Sequence, residues 1–362
     1  MRVEASQPLV LVMAGGTGGH VFPALAIAKA LQERSASVQW LGTEGGIEAR
    51  VVRESGIELH CLSVQGLRGK GLLTRVQSFF KAIASVLVAI QLIRRLKPVC
   101  VIGLGGYVAG PGGIAAWLMR KPLIIHEQNA VAGTTNRLLA RFANSVLTGY
   151  PISLGGVRSR FIGNPVRASI SALPSPDVRF AQRAGRLQLL VLGGSQGAMA
   201  INQVVVDALK GLSPQQVSVW HQTGSAHFEA VSSEYRAAGL DVRVEAFIND
   251  MAAAYGWADV VLCRAGALTV AEVSAAGVGA WLVPLPHAID DHQRENARWL
   301  ATQGAGEIIE QASLTAALLQ KKIQAAVSQR DSLTSMALAA RLLARPDAAA
   351  VAADACLEYA YV

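Results

Sequence analysis

Three glycine clusters lie where backbone amides could meet an oxyanion. The first, Gly15-Gly16-Thr17-Gly18-Gly19-His20, joins an apolar run at residues 9–14 to a helical pattern at 23–34. Glycine lets N–H groups come close to phosphate oxygens, and a helix start adds positive potential. The spacing misses the dinucleotide fingerprint, because Val21 stands where the third glycine belongs, and there is no Gly-Lys-Ser/Thr ending. Nicotinamide and ATP readings both lose ground. A tight turn with His20 capping the helix is the plainer use of the same residues. The second cluster, Gly103-Leu104-Gly105-Gly106-Tyr107, and the third, Gly193-Gly194-Ser195-Gln196-Gly197, also follow strand-like runs. One such loop is a weak signal. Three at the carboxyl ends of strands, in both halves of the chain, fall where open α/β sheets bind ligands, and they call for more than one phosphate-bearing ligand.

A fourth segment, Arg264-Ala265-Gly266-Ala267-Leu268-Thr269, opens a helical stretch holding Glu272. Its first amides suit a diphosphate, and Glu272 suits ribose hydroxyls, although an ordinary solvated helix position would also hold a glutamate. His287, Asp290, Asp291 and His292 are metal-ligating types, yet the chain has no DxD triplet, and a loop of mixed charge is usually solvated. The expectation is no metal and no other cofactor, with Gln293 bonding a sugar.

The elements that must position these residues alternate. Strand-like runs at 38–41, 100–102, 123–126 and 145–147 in the first half, and at 187–192, 217–222, 242–245, 260–263 and 280–283 in the second, are separated by helical patterns such as 199–209. That alternation predicts an α/β protein of two Rossmann-like domains, each built on a parallel sheet. The length of 362 residues exceeds what one core usually holds. The expected boundaries are 1–166, 167–340 and a helical tail at 341–362 folding back on the first domain, broken at Pro346, with a hinge near Arg167. A charged fraction of only 16% with 35 glycines fits buried parallel strands and excludes a disordered chain. The net charge of +8 fits an anionic partner without choosing among phosphate, nucleic acid and membrane. Cys61, Cys100, Cys263 and Cys356 show no zinc or disulfide spacing, which fits a reducing compartment. The run at 9–14 reads as a strand rather than a secretion signal, and residues 82–93 fall short of the roughly 20 needed to span a bilayer.

Taken together, Gly15 to Pro23, Gly103 to Pro111, His126-Glu127-Gln128-Asn129, Gly163-Asn164-Pro165-Val166-Arg167, Gly193 to Ala198, Phe247 to Met251, Arg264 to Glu272 and Asp290 to Gln293 with Asn296-Ala297 resemble the MurG enzymes of glycosyltransferase family 28 over most of the chain. These enzymes add N-acetylglucosamine to undecaprenyl-pyrophosphoryl-muramyl-pentapeptide. The resemblance implies a GT-B fold whose two sheets face each other across a cleft. It places UDP-GlcNAc mainly in the second domain and the lipid-linked acceptor mainly in the first, beside Gly105, Gly106 and Tyr107. Thr17, Gly18, Gly19 and Asn129 would approach the donor sugar, Arg167 and Ser195 the diphosphate, and the Ile248 backbone the uracil. Ala267, Leu268, Thr269, Val270, Ala271 and Glu272 would hold diphosphate and ribose, and Gln293 the sugar hydroxyls. Nothing is read from Arg294-Glu295, where relatives vary. The implied place is the cytoplasmic face of the inner membrane, with a cell-wall synthesis complex as partner and no nucleic acid.

Basic and apolar residues alternate between 67 and 97, with Arg75, Phe79, Phe80 and Lys81 as the expected contact with anionic headgroups; a helix packed in the core would use the apolar part equally well. The expected chemistry is in-line attack of the muramyl 4-hydroxyl on the anomeric carbon, with helix N-termini, glycine-loop amides, Ser195 and Arg167 neutralising the leaving UDP. His20 is the leading base, Glu127 the alternative, and Asn129 a catalytic-site residue that cannot take a proton. A UDP-N-acetylglucosamine 2-epimerase and a catalytically silent nucleotide-sugar binder are the rivals; acceptor-dependent release of UDP separates them.

Overall fold

A computed structural model describes residues 7–62, 72–181, 183–194, 198–286 and 291–360, with the backbone alone over 72–80. The chain forms two compact units. One comprises Met1–Val166 with Asp347–Val362, the other Arg167–Pro346.

The first unit runs β1 (Leu9–Met13), α1 (Gly18–Glu33), β2 (Ser37–Gly42), α2 (Glu48–Glu54), β3 (Glu58–Cys61), α3 (Leu72–Leu96), β4 (Cys100–Gly103), α4 (Ala109–Leu118), β5 (Leu123–Glu127), α5 (Thr134–Leu139), β6 (Ser145–Thr148) and β7 (Arg160–Phe161). All its strands pair in parallel in the order β3-β2-β1-β4-β5-β6-β7. A parallel sheet needs cover on both faces, and the strands show it. Val10, Val12 and Ala14 enter one buried cluster and Leu11 and Met13 another, so the apolar run is continuous rather than alternating.

The second unit runs α6 (Ala168–Ser171), α7 (Pro176–Phe180), β8 (Leu187–Leu192), α8 (Met199–Leu209), β9 (Val217–Gln222), α9 (Phe228–Ala237), β10 (Arg243–Glu245), α10 (Met251–Trp257), β11 (Val260–Cys263), α11 (Ala267–Ala276), β12 (Gly279–Leu282), α12 (His292–Thr302), β13 (Gly306–Ile308), α13 (Ala316–Ser328) and α14 (Arg330–Leu342). Its parallel order is β10-β9-β8-β11-β12-β13. In each sheet the strand order reverses beside the first strand, so the loops after β1 and β4, and those after β8 and β11, meet at a switch point.

The chain returns to the first unit at Asp347, six residues beyond the expected 341, because α14 continues to Leu342 before Pro346 interrupts the helical path. There α15 (Ala348–Leu357) buries Ala352, Ala353, Ala355 and Cys356 with the α1 side of the core. The Cys356 thiol bonds that of Cys100, and neither is in a disulfide.

Candidate functional site

The site of the first unit starts at the end of β1. The sequence places the following helix at residue 23, but α1 begins at Gly18 because the Thr17 carbonyl accepts from the amides of His20 (3.1 Å) and Val21 (3.2 Å). Pro23 therefore sits inside the helix, and His20 stands in its first turn with Nδ1 3.3 Å from the Thr17 hydroxyl oxygen. The loop after β4 lies against this turn. Gly106, at φ +80°, would drive any Cβ into the Gly15 carbonyl, and a Cβ on Gly105 would touch the His20 ring at 3.0 Å. Close backbone approach is thus the reason for these glycines. Tyr107 stands 61% exposed beside them.

Glu127 ends β5 and is buried. Its Oε1 accepts from the Asn129 amide (2.9 Å) and side chain (3.3 Å), and its Oε2 from the Gly133 amide (3.0 Å) and Asn136 Nδ2 (2.9 Å). With both oxygens accepting, Glu127 braces the loop that presents Asn129. His126, which burial holds below the usual histidine pKa, donates from Nε2 to the Gly163 carbonyl (3.0 Å) and accepts at Nδ1 from Gln128 (3.2 Å). It is a neutral strut beneath the same loop.

In the second unit, α11 begins after Gly266, an extended N-cap that supplies no side-chain bond. The amides of Ala267, Leu268 and Thr269 thus form the open end of a ten-residue helix, where a diphosphate is favoured. The turn before them is rigid. Arg264 donates to the carbonyls of Val283 (3.1 Å) and Pro284 (3.3 Å) and to Gln311 (2.6 Å), while Asn296 donates to the Ala265 carbonyl (3.1 Å). Val270, Ala271 and Glu272 occupy the next turn.

Glu272 is buried rather than solvated. Its Oε1 accepts from Arg167 Nε (3.2 Å) and Nη2 (2.6 Å), and its Oε2 from the Tyr255 hydroxyl (3.1 Å). Burial raises its pKa, and Arg167 and Tyr255 pull it back down. The sequence assigns Arg167 and Glu272 to different parts of the ligand; the structure pairs them. Gln293 has its side-chain oxygen fixed by the Leu285 amide (3.0 Å), which aims its NH₂ group. Ile248 is buried in the turn leading to α10, whose N-cap Asp250 accepts from the Ala253 amide (2.9 Å).

Ser195, His287 and Asp290 lie outside the described residues. Among the described residues no group of three His, Cys, Asp or Glu side chains could hold a metal. Gly193 is nevertheless held between the Gln222 carbonyl and Asn202. Asn202 bonds the Thr223 carbonyl (3.1 Å) and His221 Nε2 (3.1 Å), whose Nδ1 meets the Tyr235 hydroxyl (2.8 Å). These supports, together with Tyr255, Asn136 and Glu48, were not found from sequence. For Glu48 a signal exists: Gly45-Gly46 precedes it, one more glycine pair after a strand.

The side chains of Arg75, Phe79 and Phe80 also lie outside the described residues, whereas Lys81 is exposed. Further along α3, Leu87 and Val88 are exposed, as are Trp117 and Leu118 on α4, Leu138 on α5, and Phe142, whose ring lies 4.9 Å from that of Trp117. Arg94, Arg95, Arg120, Arg137 and Arg141 are exposed on the same helices and their ends. Among the described residues no helix is long and apolar enough to cross a membrane.

Two Rossmann-like units with glycine loops at the switch points, and an open helix N-terminus beside a buried glutamate paired with the half-exposed Arg167, define the GT-B fold. The chain belongs to glycosyltransferase family 28: the N-terminal domain model of that family matches residues 10–148 and the C-terminal domain model residues 188–351. It is 50% identical to a Marinobacter nauticus protein and 51% identical to one of Pseudomonas fluorescens, over 97% of this chain and 97% and 99% of theirs. Both are named UDP-N-acetylglucosamine–N-acetylmuramyl-(pentapeptide) pyrophosphoryl-undecaprenol N-acetylglucosamine transferase. Among solved structures it is similar to MurG of Acinetobacter baumannii, at 41% identity and a TM-score of 0.82 over 97% of this chain and 99% of that one. A UDP-GlcNAc 2-epimerase of Neisseria meningitidis, at 12% identity and a TM-score of 0.66 over 97% of this chain and 99% of that one, shares the fold alone.

Proposed function

We propose that this chain transfers N-acetylglucosamine from UDP-GlcNAc to the muramyl 4-hydroxyl of undecaprenyl-pyrophosphoryl-MurNAc-pentapeptide, making the β1→4 disaccharide lipid of peptidoglycan synthesis. The observation that carries this reading is 50% identity to the Marinobacter nauticus transferase over 97% of both chains.

In this reading the muramyl oxygen attacks the anomeric carbon from the face opposite the diphosphate, the carbon–oxygen bond to UDP breaks, and configuration inverts. His20, oriented by Thr17, takes the proton of the attacking hydroxyl. The charge growing on UDP is met by the first amides of α11, by Arg167 and by Ser195, so no metal is required. Arg167 turns from Glu272 toward phosphate when the donor enters, leaving the carboxylate for the ribose. Gln293 gives its NH₂ group to the sugar, and the Ile248 backbone meets the base. The loop at Gly105, Gly106 and Tyr107 receives the acceptor.

The reaction is placed at the cytoplasmic face of the inner membrane, where the protein is peripheral. The exposed rings of Trp117 and Phe142 among exposed arginines support that placement, because an apolar surface rimmed by basic side chains suits anionic headgroups.

The test is UDP release with a short-chain lipid acceptor in the presence of EDTA. Release that requires the acceptor and survives the chelator is the expected result. Release without acceptor, or strict dependence on magnesium or manganese, overturns the proposal.

A further inference from the structure

Glu48, at the start of α2, is fully buried although it carries a carboxylate. Its Oε2 accepts from the Gly16 amide (3.1 Å), and its Oε1 from the Thr43 amide (3.0 Å) and hydroxyl (2.6 Å). Three glycines make room for it. A Cβ on Gly15 would come within 2.6 Å of Oε1, one on Gly42 within 2.9 Å of the Glu48 Cγ, and one on Gly46 would overlap the carboxylate. Every group facing the carboxylate is a donor, and an ionised carboxylate, which only accepts, is the side chain that satisfies all three. From the other side, the buried Trp40 indole donates to the Ala14 carbonyl (2.8 Å). The chain is thus pinned at Ala14 and again at Gly16, where φ is +93°, just before Thr17 and His20.

We propose that Glu48 is a positioning residue of the transfer reaction: it fixes the first glycine loop, and through that loop the first turn of α1 with His20. The inference rests on the transferase reading. It also changes what the loop can bind. The Gly16 amide is spent on Glu48, and a negative charge lies directly beneath the loop. A phosphate group would be repelled there, so this loop meets the uncharged sugar and hydroxyl part of the reactants. The diphosphate is left to other amides, in keeping with the expected place of Thr17, Gly18 and Gly19 at the donor sugar.

The experiment compares the parent with Glu48→Gln and Thr43→Val, using UDP-GlcNAc and a short-chain lipid acceptor. Circular dichroism and melting check the fold, and calorimetry measures UDP affinity. Glu48→Gln sets an NH₂ group against donors; a displacement of about 1 Å at a reaction centre costs about 100-fold in rate, and that loss of kcat is the expected result. Thr43→Val removes one donor and leaves the other two, so its expected loss is smaller. In both variants the donor KM and UDP affinity stay near the parent values, because the nucleotide is held by the second unit. A purely structural role would lower the melting temperature while leaving kcat per folded molecule unchanged, and that outcome overturns the proposal. So does a folded variant whose kcat matches the parent. If Glu48→Gln does not fold, Thr43→Val decides by the same criterion. Failure of the parent to release UDP with acceptor defeats the transferase reading instead, and is seen before any variant is made.

Discussion

Replacing Glu272 with glutamine separates its two possible roles, ribose acceptor and simple partner of Arg167. The side chain is 6% exposed and that of Arg167 is 36% exposed, so the pair lies at the border of the unit 2 interior. Glutamine is nearly isosteric and keeps an oxygen for Arg167. It also removes the cost of burying a charge, the same burial that raises the Glu272 pKa. Fold stability should therefore change by no more than about 1 kcal/mol, or about 2–4 °C in melting temperature. Ligand binding should change more. A hydrogen bond to a charged group contributes about 1.5–3 kcal/mol against about 0.5–1.5 kcal/mol for a neutral pair. Two ribose hydroxyls thus lose about 2–3 kcal/mol together, which is about 30- to 150-fold in UDP affinity.

The assay is calorimetric titration of parent and Glu272→Gln with UDP and with 2′,3′-dideoxy-UDP. The parent should prefer UDP strongly, and in the variant that preference should shrink by about 30- to 150-fold. An unchanged preference, or a UDP affinity matching the parent, refutes the ribose role. Equal weakening of both ligands would leave Glu272 only its contact with Arg167. A pH series adds an independent sign. Because burial raises the pKa, the folded unit holds this proton more tightly than the unfolded chain. The stability it brings is full in acid and is lost as pH rises through the raised value. Ribose needs the ionised carboxylate, so UDP affinity runs the other way, weakening as pH falls through the same value. Glu272→Gln should flatten this contribution to both curves.

His20→Ala should lower kcat by about 100-fold or more while UDP affinity holds, as read by steady-state turnover beside calorimetry; turnover close to the parent rules His20 out as the base. Trp117→Ser combined with Phe142→Ser should weaken flotation with phosphatidylglycerol vesicles by about 10-fold or more without lowering turnover of a short-chain acceptor. Glutamate at Arg75, Phe80 and Lys81 should do the same, and unchanged flotation counts against this face. His221, which burial pushes down to about 3, stays neutral between Asn202 and Tyr235, while the unfolded chain takes up a proton below about 6.5. Its contribution to stability is complete above the ordinary histidine value and is lost as pH falls toward about 3, by about 1.4 kcal/mol per pH unit. Calorimetric melting of the parent should show that slope, and His221→Gln should lack it.

What the sequence conveyed, and what it did not, follows from how far each interaction reaches along the chain. β11 is legible to the residue at Val260–Cys263, because a strand buried on both faces is written as an unbroken apolar run. β3, β7 and β13 escape. They are short, part-exposed strands toward the sheet edges and carry no such run. The glycine loops are legible for the same local reason. The duties of the carboxylates are not: Glu127 finds donors up to nine residues away, Glu48 meets Gly16 across 32 residues, and Glu272 meets Arg167 across 105. An acidic residue near a glycine loop can equally accept from a ligand hydroxyl or from the loop's own amides, and residue type does not distinguish the two. Spatial partners do. In the first unit they turn both Glu48 and Glu127 inward as braces. In the second they leave Glu272 held by Arg167, a cation that a diphosphate can compete for. Under the proposed function the donor diphosphate is met at α11, while the buried acids Glu48 and Glu127 of the first unit hold the loops that carry Thr17, His20 and Asn129.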